Sequence, residues 1–286
     1  MRVLFVLLFL CSGFTAMGQD LFTRLQAISN NGTDFFNADG IEITTQQVNI
    51  SFADNSIRKK FRQYDLKTLG TDSLLPFPNF YSTVSTEVVP GTTQITSYYF
   101  IEGVTAITFA SVNKKDQAFE REFVKLIRDK AIPKSVYTPL QIDSINFAGR
   151  KIPLGKSCYW MGVNNVQCPY YGQLNWSVHQ TADDAAQSVT NQKTMIKAKK
   201  GGKIVSEGPV EVTFEGAAVK AEKAVYDFKG VKGLLAGMSG GKTLTIYFVS
   251  APVREHYVSC VMSFWNNDAI NPSGLPPLLE QVMKLK

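Results

Sequence analysis

The chain has 286 residues, 44% of them hydrophobic and 19% charged, with a formal net charge of +6. That length and apolar share suffice to bury one large core or two modest ones. The charge is too mild for a nucleic-acid footprint, and the sequence has no arginine-rich stripe, zinc-ligand spacing or dense basic helix. The low charged fraction, with Gly, Ser, Thr and Asn between β-branched runs, predicts an exported, strand-rich protein.

Residues 1–18 read as a secretion signal. Arg2 is followed by the apolar run Val3 to Leu10, and Ala16-Met17-Gly18 sets small residues at −3 and −1 of a cut before Gln19. The expected location is periplasmic or secreted. Losing Arg2 leaves 29 of the 30 basic residues against 24 acidic ones, a mature charge near +5. The apolar run is too short to span a bilayer and no later segment approaches that length, so no transmembrane segment is expected in the mature chain.

Asp20 to Ile28 is predicted as a short helix with Leu21, Leu25 and Ile28 on one face, ended by Asn30-Asn31-Gly32. Ile41 to Phe52 carries a strand pattern interrupted near Gln46-Gln47, and Asn55 to Leu69 a short helix bearing Ile57, Phe61 and Tyr64. Tyr81–Val89, Thr92–Ile101 and Val104–Val112 form a predicted three-strand meander with turns at Pro90-Gly91 and Glu102-Gly103. A helix carrying Phe119, Phe123, Leu126 and Ile127 follows, with Asn113 and Asp116 at its start, and stops at Pro133.

The stretch 133–140 marks the expected boundary between an N-terminal α+β domain at 19–140 and a C-terminal domain at 141–286. Ile142 to Ile152 fits either half. Three cysteines survive cleavage of the signal, and in an oxidising compartment two tend to pair. The ten-residue spacing favours Cys158 with Cys168, around a hairpin tip at Asn164-Asn165. A turn centred there does not set the two opposite each other, so a bulge or a wider loop is needed. Cys260 is then a free, buried thiol in a strand.

Leu174, Trp176 and Val178 alternate with Asn175, Ser177 and His179, a strand with one face in the core. Thr181 with Asp184 forms a capping box for a helix that ends in Lys197, Lys199 and Lys200 before Gly201-Gly202. Strands are predicted at Lys203–Ser206, Val210–Phe214, Ala217–Phe228, Leu244–Val249 and His256–Trp265, with a glycine-rich surface loop at 230–241. Pro276-Pro277 leads into a closing helix with Leu278, Leu279, Val282 and Leu285 inward. Val104–Ile127 can be laid beside His256–Leu285, which fits either an old duplication or two units of one fold class.

From residue 170 onward the order resembles the PsbP/Mog1-like α/β/α sandwich domains. Gly202-Lys203-Ile204-Val205-Ser206 and Val210 to Gly216 are similar to that family's helix exit and hairpin, Leu244–Val249 and Tyr257–Phe264 to its final strand pair, and Leu278–Leu285 to its closing helix. The resemblance implies an α+β fold: an antiparallel sheet packed with N- and C-terminal amphipathic helices, preceded by a smaller strand-rich α+β unit. The family has no common catalytic constellation, so the resemblance implies no site.

Catalytic patterns are weak. Gly240-Gly241-Lys242-Thr243 lacks the first glycine of a phosphate loop, where Ala236 stands, and precedes a strand. No Gly-x-Ser-x-Gly elbow occurs. A thiol centre at Cys260 needs His179 or His256 beside it, and a zinc site needs Cys158, Cys168 and Cys260 together with a histidine. Glu211 and Glu215 share strand parity, whereas Glu120 and Glu122, two apart on a helix, do not face each other. The unusual feature is aromatic: Tyr159, Trp160, Tyr170, Tyr171 and Trp176 surround the cysteine hairpin among Asn and Gln, a composition that suits a glycan or peptide ligand or packs the hairpin onto the sheet. The expectation is a non-enzymatic binding or accessory protein of the cell envelope, without cofactor or metal. Its partner would be an envelope protein, a glycan or a peptide, and its oligomeric state is open. The alternative is a secreted hydrolase acting on a cell-wall or carbohydrate substrate.

Overall fold

The computed structural model describes residues 20–64, 66, 69–199, 201–229 and 241–286. The predicted signal at 1–18 and all but residue 241 of the glycine-rich loop lie outside the described residues.

Among the described residues three antiparallel sheets carry the fold. The first contains β1 (Gln26–Asn30), β2 (Thr33–Ala38), β3 (Ile41–Gln47), β4 (Asn79–Val89), β5 (Thr92–Ile101) and β6 (Thr105–Val112), in the order β1-β2-β3-β6-β5-β4. Helix α1 (Asp54–Lys60) places Ile57 and, at its C-cap, Phe61 against Tyr98 and Phe100 on one face. Helix α2 (Gln117–Arg128) places Phe123 and Val124 against Phe36, Ile43, Tyr99 and Phe109 on the other. The α2 N-cap is Asp116, whose carboxylate accepts from the Phe119 amide at 2.9 Å. Asn113 instead accepts from Thr93 N across the sheet.

A two-stranded hairpin, β7 (Ser144–Phe147) with β8 (Arg150–Pro153), links to an eight-stranded sheet. That sheet contains β9 (Tyr159–Gly162), β10 (Asn165–Cys168), β11 (Gly172–His179), β12 (Gly202–Phe214), β13 (Ala217–Phe228), β14 (Thr243–Val253), β15 (His256–Trp265) and β16 (Met283–Leu285). Its order is β16-β12-β13-β14-β15-β11-β10-β9. Helix α3 (Ala182–Lys197) covers one face through Val189 and Ile196, packed on Ile246, Phe248 and Val261. Thr181 caps α3, accepting from Asp184 N at 3.1 Å as the capping box requires. The two predicted strands at 203–206 and 210–214 are one continuous β12 with a bulge between Ile204 and Ser206.

The α/β/α sandwich expectation is overturned. The face opposite α3 is covered by the β7–β8 hairpin, the Cys158–Trp160 segment and the C-terminal residues, not by a helical layer. The predicted closing helix is a four-residue turn, α4 (Pro277–Glu280), followed by β16 paired to β12 through Met283↔Phe214 and Leu285↔Val212. The nine residues that follow Pro276-Pro277 are too few to form a stable helix, while the edge of β12 offers unpaired backbone groups. Met283 is buried and Lys284 exposed, the period of a strand. The chain therefore does not end both halves alike: strand and long helix close the first, turn and edge strand the second.

The N-terminal helix is also shorter than predicted. It spans residues 20–24, and Gln26–Asn30 forms β1. Asn31 and Gly32, with φ of 50° and 76°, make the tight β1–β2 hairpin turn rather than a helix stop.

Cys158 and Cys168 are disulfide-bonded, and Cys260 is a buried free thiol. The register explains how a ten-residue spacing closes. Asn165 pairs with Gly162, a bulge follows, and Val166↔Trp160 and Gln167↔Tyr159 then bring the cysteines opposite each other. Replacing both by serine (Cys158→Ser with Cys168→Ser) is expected to lower unfolding free energy by about 2–3 kcal/mol. Urea titration should show an earlier midpoint, and an unchanged midpoint would contradict a stabilising role for the bridge.

Candidate functional site

The two large sheets meet along a cleft of about 1510 Å³. Its sides come from α2, the β2–β3 turn, α3, and a strip of the eight-stranded sheet beside α3. Alternation along β11 creates that strip. Leu174, Trp176 and Val178 point into the core, so Gln173, Asn175 and Ser177 point to the cleft. Asn165 from β10 and Ser263 from β15 complete the floor. Gln173 Nε2 donates to Asn165 Oδ1 at 2.8 Å.

The charged groups of the cleft are largely spent on one another. Arg24 bonds Asp39 at 3.1 Å, Lys114 bonds Asp184 at 2.9 Å, Arg121 bonds Asp72 at 2.7 Å and Lys125 bonds Glu122 at 2.7 Å. The Lys114 hydrogen bond holds the Asp184 carboxyl below the usual carboxylate range. Asp116 caps α2. Each of these carboxylates serves a structural bond, which leaves no acid–base pair poised across the cleft among them.

The halves are joined at the same place. The β2–β3 turn, Asp39 (φ 52°) and Gly40 (φ 77°), docks onto the end of β11. Asp39 N donates to Val178 O at 3.1 Å, and Asp39 Oδ1 accepts from Gln180 N at 2.9 Å. A Cβ at Gly40 would lie 3.2 Å from His179 Cε1 and 3.4 Å from Ser188 Oγ, so glycine is required by both space and φ. Asn113 Nδ2 donates to Asn191 Oδ1 at 3.0 Å, adding a second tie.

Beneath this dock, His179 Nε2 lies 2.8 Å from Ser259 Oγ, which donates to Ser188 Oγ at 3.3 Å. The spacing matches a serine–histidine nucleophile pair, but His179 and Ser259 are both 0% exposed. Asp39 directs its carboxylate to Arg24 and Gln180 rather than orienting a base. Burial pushes His179 down to about 4, so the ring is neutral at physiological pH. The pair is a packing element where the β2–β3 turn docks on the eight-stranded sheet.

The other sequence-level candidates separate. Trp176 is fully buried beside Phe147 and Cys260, and Trp160 is half-buried against it, donating its indole N–H to Pro139 O at 3.0 Å. Both serve packing. Tyr159, Tyr170 and Tyr171 are exposed, but Tyr170 and Tyr171 stand in the β10–β11 turn, where their carbonyls accept from Ala269 N and Leu278 N. Tyr159 lies on the same sheet face as Gln173, outside the cleft lining. Cys260 points to the opposite face from Ser259 and His179, into the core, where burial pushes its thiol up; a Cys–His pair with His179 is not formed. Cys158 and Cys168 are consumed by their disulfide, and no metal-binding cluster of His, Cys, Asp and Glu occurs among the described residues. Glu215 sits in the β12–β13 turn held by Arg150 and Arg254, while Glu211 is exposed. Glu120 is buried, accepting from Ser97 Oγ at 2.9 Å and Tyr99 OH at 3.1 Å, whereas Glu122 pairs with Lys125. Sequence reasoning missed the floor itself. Its signal was the amide and hydroxyl alternation Gln173, Asn175, Ser177 on β11, legible as a polar face but not as a cleft wall.

No family model matches the chain, and no curated protein matches it. Among solved structures it is similar to the di-domain ARO/CYC StfQ from the steffimycin biosynthetic pathway, over 90% of this chain and 77% of that one, at 13% identity and a TM-score of 0.17. A TM-score that low carries no argument about fold or activity.

Proposed function

We propose that this chain is an exported, non-enzymatic binding protein of the cell envelope whose ligand occupies the cleft between its two halves. The observation that carries this reading is the division of labour in the cleft: most of its charges, Glu42 and Lys199 aside, are held in ion pairs or a helix cap, while its sheet floor presents neutral amides and hydroxyls. Such groups both donate and accept, which suits recognition, but they are poor nucleophiles and bases without an activating partner. The disulfide fits an oxidising compartment, and the signal-like sequence at 1–18 fits export.

Native mass spectrometry of the chain taken from its exporting compartment tests this. The expected result is a bound organic adduct that Asn175→Leu abolishes while leaving the circular dichroism spectrum unchanged. An adduct retained by Asn175→Leu would place the ligand elsewhere. Hydrolytic consumption of the adduct on incubation would make the chain an enzyme.

A further inference from the structure

The cross-strand register extends the cleft floor outward as a continuous row on the same sheet face. Tyr159 pairs with Gln167, Gln167 with Gln173, and Gln173 with Ser263, so these four side chains share one face across β9, β10, β11 and β15. Asn165 and Asn175 pair beside them and form a second row. Tyr159 OH donates to Gln167 Oε1 at 2.9 Å, fixing the outer end, and the tyrosine remains 45% exposed. From Tyr159 to Ser263 the row crosses three strand spacings, about 14 Å. It runs from a solvent-exposed aromatic ring at the sheet edge inward to the cleft.

Resting on the binding reading above, we infer that this row is a binding track for a neutral oligosaccharide, with one sugar stacked on Tyr159 and the following ones hydrogen-bonded to Gln167, Gln173, Asn165, Asn175 and Ser263. Three features point to this ligand. The six residues carry no charge, so an anionic or cationic ligand gains nothing from them. Amides and hydroxyls donate and accept at once, matching hydroxyl groups that do the same. A tyrosine presents an apolar face with a polar tip, which suits the apolar C–H face of a pyranose. The track runs across the strands, at right angles to the path of a peptide that would add to the edge of β9. That edge is only four residues long, with the disulfide immediately before it and the hairpin turn after it, a poor template for strand addition.

The test is a backbone amide NMR titration of the mature chain with maltohexaose, cellohexaose, chitohexaose and a neutral (Gly-Ser)6 peptide. At least one sugar is expected to shift amides on β9, β10 and β11 in a saturable manner. Tyr159→Ala and Gln173→Leu should each weaken that binding about tenfold or more. Tyr170→Ala, also an exposed tyrosine but outside the row, should leave it unchanged. The inference is overturned if none of the three sugars shifts the row, if only the peptide does, or if Tyr170→Ala weakens binding as much as Tyr159→Ala. The two readings fail separately. Loss of the native adduct in Asn175→Leu without sugar binding refutes the ligand class and leaves the cleft standing, whereas an adduct retained by Asn175→Leu refutes the cleft.

Discussion

Trp176→Ala is expected to destabilise the chain by about 3–5 kcal/mol, the range for truncating a large buried aromatic. Trp176 is 0% exposed, its ring centroid 5.3 Å from Phe147 and 6.3 Å from Trp160, and its strand position is paired with Cys260. Truncation removes one of the contacts, beside Phe147 on Phe214, by which the β7–β8 hairpin packs on the large sheet, and a gap closed on several sides cannot collapse fully. Tyr159→Ala, by contrast, should stay within about 0.5 kcal/mol of wild type, as an exposed substitution. Urea unfolding of the two variants compares them directly. The two residues belong to one aromatic patch in the sequence, so this contrast checks how the fold divides it. A stable Trp176→Ala variant would mean that the patch is not divided between core and surface in this way.

Acid lability centred on His179 is the second large effect. In the folded chain burial lowers the ring to about 4, against about 6.5 when unfolded. The unfolded chain therefore binds the extra proton first as pH falls. The stabilisation from a neutral His179 is fully present above about pH 6.5 and is lost progressively down to about pH 4, to a total of about 3 kcal/mol. The groups facing the ring are Arg24 from the N-terminal turn, Asp39 from the β2–β3 turn, Asp184 and Ser188 from α3, and Ser259 from β15. Asp39 and Asp184 favour the protonated ring, but desolvation outweighs them. Asp184 is itself lowered by its Lys114 bond, so its own contribution is lost in a separate, more acid window. Melting temperature measured from pH 7.5 to 4 should fall in wild type and fall much less in His179→Gln. Equal slopes would remove His179 from the cause. Because the ring lies under the docked β2–β3 turn, the same protonation weakens the junction that shapes the cleft.

Legibility varied along the chain for local reasons. The β4–β5–β6 meander, α2, α3 with its capping box, and the β13 and β15 strands follow from alternation, helical spacing and turn residues. The disulfide was legible from spacing and compartment, and the need for a bulge from the parity of the hairpin. Two segments misled. Leu21, Leu25 and Ile28 fit a helical spacing, yet Ala27 and Ile28 are drawn into β1 by pairing with Phe36 and Phe35. Leu278, Leu279, Val282 and Leu285 fit another, yet the edge of β12 takes Met283–Leu285 as a strand. In both, a short apolar run satisfies two periods, and partners remote in sequence choose between them.

By itself the sequence determined that the chain is rich in strands, that Cys158 and Cys168 lie within bonding reach, and that β11 has one apolar and one polar face. These are properties of nearest neighbours and of spacing. Only the tertiary structure decided that Trp176 is core while Tyr159 is surface, that His179 is sealed under Gly40, and that the polar face of β11 floors a cleft. Those outcomes depend on what covers each face of a sheet, and the covering elements, α3, the β2–β3 turn and the C-terminal strand, are not set by the local pattern of the residues they cover.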